Sequence, residues 1–188
     1  MLIVSQPPPP PAPSGGPGFY DDFNGGALST EWDASGNPET PYVSGGQLHI
    51  EPDCNVRLAG APIPLTGRTL TLCMSGGGGA YSSIGYGLLL QNDFDYDGFQ
   101  ELTVDDDVEF GQLVWTDWDS PALPWWWRAV YDDTNASPYG VDFYGSTDGT
   151  TWTLLTHRDM ELPAPPAFAS LAHRGDGGTF TVDSISIE

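Results

Sequence analysis

The sequence predicts an all-β domain built as two packed antiparallel sheets, and three observations carry that expectation. The 188 residues include 24 glycines and 18 prolines, enough turn formers to interrupt the chain every few residues. Apolar residues come in short runs that alternate with polar ones, as in "RTLTLCMS", and form no helical stripe of any length. About a dozen such runs follow Phe19, more than one open sheet commonly holds and enough for two sheets sharing one core. A chain of this length suits a single domain with a substantial interior.

The elements read off in order. Residues 1–18 are expected to form an extended Pro-rich arm, because five consecutive prolines, Pro7 to Pro11, favour polyproline II and leave nothing to build a core from. Such tracts are commonly disordered tails. The alternative is an anchor: Met1, Leu2, Ile3 and Val4 form an apolar hook that, with Pro7, Pro8, Pro9, Pro10 and Pro11, would dock on a partner protein. Residues 19–188 are the sandwich. "GFYDDF" opens it as a strand, and "PYVSGGQLHIEP" reads as a hairpin turning at Gly45 and Gly46. "RTLTLCMS", "SIGYGLLLQ", "FQELTVD", "VEFGQLVW", "WWWRAVY", "YGVDFYGS", "TTWTLLTH", "AFASLAH" and "TFTVDSISIE" follow, with turns at Asp148-Gly149 and Gly177-Gly178.

Charge narrows the partners. The formal charge is −21, from 26 acidic groups against five arginines and no lysine. Such a surface repels phosphate backbones and anionic headgroups, so nucleic acid and membrane partners are not expected. No apolar run approaches the ~18 residues that cross a bilayer, and "MLIVSQPPPP" lacks the basic start and long apolar run of a secretory signal. The absence of lysine fits a GC-rich genome. Cys54 and Cys73 can pair or remain two buried thiols, and two cysteines alone do not decide.

The family resemblance lies in particular strings. "FYDDFNGGALSTEWDASG" followed by "YVSGGQLHIEP" resembles the entry to laminin G-like, concanavalin A-type jelly-roll domains. "WWWRAVYDD", "VDFYGSTDGTTWTLL" and "GTFTVDSISIE" resemble the same domains' later strands. The resemblance covers residues 19–188 and implies a jelly-roll sandwich with Trp152, and the Trp127 that precedes Arg128, in the core. It says little of function, since this fold hosts lectins, glycosidases, adhesion modules and virion proteins.

Three candidate sites follow. In "QNDFDYDGFQELTVDDD", Asp93, Asp95 and Asp97 take the first, third and fifth places of a calcium loop with Gly98 sixth, but the twelfth place is Val104; Asp105 could close a different loop. Calcium binding and a solvated turn both remain open. Asp21, Asp22 and Asp183 are a weaker acidic group, which the resemblance brings together as a calcium position but which side-chain hydrogen bonds to turns explain better. The third site is aromatic. On an extended strand Trp126 and Arg128 share the face opposite Trp127. With Trp118 and the carboxylates of Asp117 and Asp119 they make a flat platform and acceptors suited to a sugar.

Catalysis is not expected. Retaining glycosidases need two carboxylates about 5 Å apart, in this fold commonly from a Glu-x-Asp-x-Glu strand. No such motif occurs among the seven glutamates, and His49, His157 and His173 match no triad order. A Pro-rich tether on a lectin-like domain looks like a minor tail or surface-decoration protein of actinobacterial phages. That resemblance implies a virion component, assembled in the host cytoplasm without secretion, that binds host cell-surface glycan and other virion proteins, with homo-oligomers open. A purely structural virion protein is the alternative.

Overall fold

In a computed structural model of the protein, residues 18–76, 80–85, 88–93, 99–104, 125–134, 136–162, 164–173 and 179–188 are described. They form two antiparallel sheets and no helix, a jelly-roll sandwich as the turn density and period-two runs predict. The first sheet runs β13 (Thr153–Met160), β12 (Tyr139–Ser146), β11 (Trp125–Tyr131), β7 (Thr69–Gly76), β15 (Phe180–Ile187), β4 (Gln47–Ile50) and β3 (Tyr42–Ser44). β1 (Phe19–Asp21) continues the line of β4 along β15. The second sheet runs β10 (Phe99–Val104), β9 (Leu88–Asp93), β8 (Ala80–Gly85), β14 (Ala167–His173), β5 (Cys54–Leu58) and β2 (Trp32–Asp33). β6 (Ile63–Pro64) also pairs with β14.

The core lies between the sheets. Leu48, Leu72, Trp127, Phe143 and Ile185 come from the first sheet and Val56, Phe168 and Leu171 from the second, all buried. Trp32 meets Phe19 and Phe168 edge-on, with ring centroids 5.4 and 6.3 Å apart. Its indole Nε1 donates to Asp21 Oδ2 at 2.8 Å, so a core tryptophan keeps its polar handle satisfied at the rim. The hairpin of β3 and β4 turns where expected: Gly45 and Gly46 both take positive φ, 64° and 78°, which the tight turn requires and a side chain would oppose.

Two expectations change. "SIGYGLLLQ" is not one strand: β8 ends at Gly85, β9 begins at Leu88, and the two pair antiparallel. The cysteines do not pair. Cys54 lies on β5 in the second sheet, with its thiol 3.2 Å from the Glu39 carbonyl, and Cys73 lies on β7 in the first. Both are buried free thiols, and burial together with the nearby Asp183 carboxylate pushes the Cys73 thiol well up. The arm, "VEFGQLVW" and the Gly177-Gly178 turn lie outside the described residues.

Candidate functional site on the outer face of the first sheet

Strand alternation divides β11 cleanly. Trp127, Ala129 and Tyr131 belong to the core, so Trp126, Arg128 and Val130 face outward. Register then places the neighbours on that face: Arg128 lies between Thr71 of β7 and Tyr144 of β12, and Trp126 between Cys73 and Ser146.

Trp126 stands on the predicted face, yet it is only 5% exposed. The turn after β12 closes over it: a Cβ on Gly149 would sit 2.9 Å from its Cε2. That turn is built by side chains. Ser146 Oγ accepts from the backbone N–H of Gly149 at 2.9 Å, and Asp148 Oδ1 accepts from those of Thr150 and Thr151 at 2.8 and 2.7 Å. These donors favour the ionised carboxylate and hold Asp148 well below the usual carboxylate range. Trp126 Nε1 has no hydrogen-bond partner among the described residues. The ring is therefore closed to a ligand.

Among the described tryptophans, the accessible indole is one that the family resemblance places in the core. Trp152 is half-buried and stands outside the core cluster, with the Arg128 guanidinium carbon 3.7 Å from its ring centroid. The cause is a bulge. Phe143 pairs with Thr156 but Tyr144 pairs with Leu154, so one extra residue in β13 turns Leu154, and Trp152 two places before it, outward. Leu154 is 53% exposed. Arg128 Nε also donates to Thr71 Oγ1 at 3.3 Å. Burial lowers the Arg128 pKa, while the Glu188 carboxylate and Tyr144 oppose that shift.

Next along the face, Tyr144 OH donates over a long 3.5 Å to Asp142 Oδ2, and His157 Nδ1 donates to Asp142 Oδ1 at 2.6 Å. His157 Nε2 lies 3.5 Å from Asp159 Oδ1. The outer face thus offers a propped indole, a phenol, an exposed leucine and two carboxylates: an aromatic platform edged by hydrogen-bond acceptors.

The other predicted positions divide. Trp118, Asp117, Asp119, Asp95, Asp97 and Asp105 lie outside the described residues, as do Met1 to Val4 and Pro7 to Pro11. Asp93 ends β9, and its side chain is likewise outside them. Asp21, Asp22 and Asp183 do not converge. Asp21 accepts from Phe23 N–H, Trp32 Nε1 and Ser29 Oγ, and Asp22 from Asn24 N–H. Asp183 accepts instead from Gln47. Among the described residues no group of three or more His, Cys, Asp or Glu side chains is placed to hold a metal ion.

No family model and no curated protein sequence matches the chain. Solved structures do. The Ca2+/Man-bound exoplasmic/lumenal domain of VIP36 superposes with a TM-score of 0.60 at 14% identity, over 91% of this chain and 88% of that one. An immunostimulatory antigen and pseudo beta-1,3-glucanase of Mycobacterium tuberculosis gives 0.58 at 13%, over 90% and 97%. The GH43 protein BlXynB of Bacillus licheniformis, as its K247S mutant, gives 0.60 at 14%; the match takes in 89% of this chain and only 38% of that one. At these identities the likeness is one of fold.

Proposed function

We propose that this chain is a non-catalytic carbohydrate-binding module. The observation that carries the reading is Trp152, a half-buried indole held in place by the stacked Arg128 guanidinium on the outer face of the first sheet. Pyranose rings present C–H faces that pack on flat aromatic surfaces, and their hydroxyls donate to acceptors at the edge. Tyr144, Asp142 and Glu188 supply those groups here. A ring fixed before binding loses little rotamer freedom when the ligand arrives. The mannose-bound VIP36 domain shows that this fold can carry such a role. Glucanase and GH43 neighbours share the fold equally, and binding is favoured over hydrolysis by the sequence, which lacks the paired-carboxylate strand.

The reading extends to context. The Pro-rich residues 1–18 would anchor the domain to another virion protein, by adding a strand to its sheet edge, and the sandwich would face host cell-wall glycan. Weak sugar contacts gain strength when many copies are displayed together. Calcium at Asp93, Asp95, Asp97 and Asp105 belongs to the same proposal. A second reading, a structural virion protein that binds no sugar, is favoured by Leu154, since an exposed leucine beside Trp152 suits a protein neighbour as well.

The test is titration of the full chain with soluble cell-wall polysaccharides, with calcium and with chelator. Saturable binding that falls about tenfold in Trp152→Ala, with the melting temperature kept, supports the module. Loss with chelator supports the calcium loop. Wild-type protein that binds no polysaccharide, with or without calcium, overturns the reading in favour of the structural one.

A further inference from the structure

At the opposite edge of the same sheet face, β3 and β4 present a second flat aromatic surface. Tyr42 and His49 are register partners, and their rings stack with centroids 4.8 Å apart and planes 5° from parallel. His49 Nε2 lies 3.2 Å from the Ser44 carbonyl, which fixes the imidazole behind the phenol. Tyr42 is 46% exposed, one of two large apolar side chains so open among the described residues. Leu48 is fully buried, so Gln47 faces outward with His49 and Tyr42.

The polar groups beside this platform are already oriented. Gln47 Nε2 donates to Ser75 Oγ at 2.7 Å and to Asp183 Oδ1 at 2.8 Å, across β4, β15 and β7. Both amide hydrogens are spent, which leaves the Gln47 carbonyl oxygen as an acceptor with no partner among the described residues. Among the described residues Asp183 Oδ2 has only the weak Cys73 thiol, at 3.9 Å. Ser75 Oγ accepts from Gln47 and keeps its own proton to donate. Gln47 stands diagonally across the hairpin from the Tyr42 ring, about 7–8 Å away. Asp183 on β15 and Ser75 on β7 lie one and two strands beyond β4, so the surface spans more than one sugar unit.

We infer that Tyr42, Gln47, Ser75 and Asp183 form a second carbohydrate contact surface, one that takes a short run of neutral pyranose units with vicinal hydroxyls. The Tyr42 ring packs against the C–H face of one unit while Gln47 and Asp183, held side by side, accept from vicinal hydroxyls of a neighbouring unit. Asp183 and the formal charge of −21 reject uronic acid and sulfated polymers. This inference rests on the carbohydrate-binding reading but not on Trp152.

The experiment titrates the full chain with neutral hexasaccharides of mannan, galactan, xylan and β-1,3-glucan, with oligogalacturonate as the acidic control. The variants are Tyr42→Ala, Asp183→Asn and, for comparison, Trp152→Ala. The expected result is binding of at least one neutral probe, none of oligogalacturonate, and an affinity about tenfold lower in both Tyr42→Ala and Asp183→Asn at unchanged melting temperature. His49 ring resonances should shift during the wild-type titration. If both variants bind as wild type while Trp152→Ala loses affinity, this inference fails and the Trp152 site stands. If they lose affinity while Trp152→Ala does not, the contact is at Tyr42 and the Trp152 placement fails. If wild type binds none of the neutral probes, or binds oligogalacturonate as tightly, the inference is overturned.

Discussion

Gly149 shows how one position governs a whole corner of the face. It takes a positive φ of 70°, and its missing Cβ makes room for the Trp126 ring. Gly149→Ala therefore carries two penalties, backbone strain and a clash against an indole buried under the turn. The expected cost is about 1–3 kcal/mol, read as a lower urea midpoint with unchanged slope. The same corner shows what single residues reveal in sequence. The run "WWWR" allows Trp126 and Trp127 to be placed on opposite faces, because that needs only strand alternation. It does not tell that Trp126 is closed off, because the cover comes from a turn on the neighbouring strand. The outward position of Trp152 is hidden for a related reason: a bulge adds one residue to β13, and alternation counted through it gives the wrong face.

At the scale of elements, β13 is an edge strand among the described residues, and edges invite unwanted pairing. It carries the bulge and the charged triplet His157, Arg158 and Asp159, both devices that blunt an edge. His157 ties β13 to β12 through Asp142, and that hydrogen bond raises its pKa above the ordinary 6.5. A group raised on folding stabilises fully below its unfolded value and loses that contribution as pH climbs through the folded one. The His157 ring should titrate by NMR with a midpoint above 6.5, and Asp142→Asn should bring the midpoint down. A wild-type midpoint at or below 6.5 would mean the contact is absent in solution. Longer strands such as β7, β11 and β12 are legible in sequence because each holds its alternation over seven or eight residues, while β15 is legible by length although its register shifts near Val182. β2 and β6 are not, since two residues carry no period. The split of β8 from β9 is hidden inside an apolar run that reads as one strand.

Across the whole molecule, charge acts on every strand at once. Twenty-six acidic groups against five arginines leave strong self-repulsion in the folded state. Added salt screens it, with a Debye length near 10 Å at 0.1 M. The melting temperature should rise when sodium chloride increases from about 10 mM to about 0.15 M. A flat or falling trend would show that attractive ion pairs outweigh the repulsion. The candidate site is legible only in outline at this scale: the sequence marks an aromatic strand with an arginine, while the ring that stays open is decided by how two sheets and a bulge meet.

One topological feature bears on how the molecule comes into being. β15 follows every other strand in the chain, yet it lies in the interior of the first sheet, between β7 on one side and β4 and β1 on the other. During synthesis, β1, β3 and β4 are made early and β7, β11, β12 and β13 later, but the two groups have nothing to join them until β15 leaves the ribosome. Closing that gap brings Phe19 to Ile187, a contact between distant parts of the chain, and such long-range closure is slow. Until then the β3–β4 hairpin and the β7–β11–β12–β13 half-sheet have unpaired inner edges, and like charge on every chain opposes their pairing with a neighbour's.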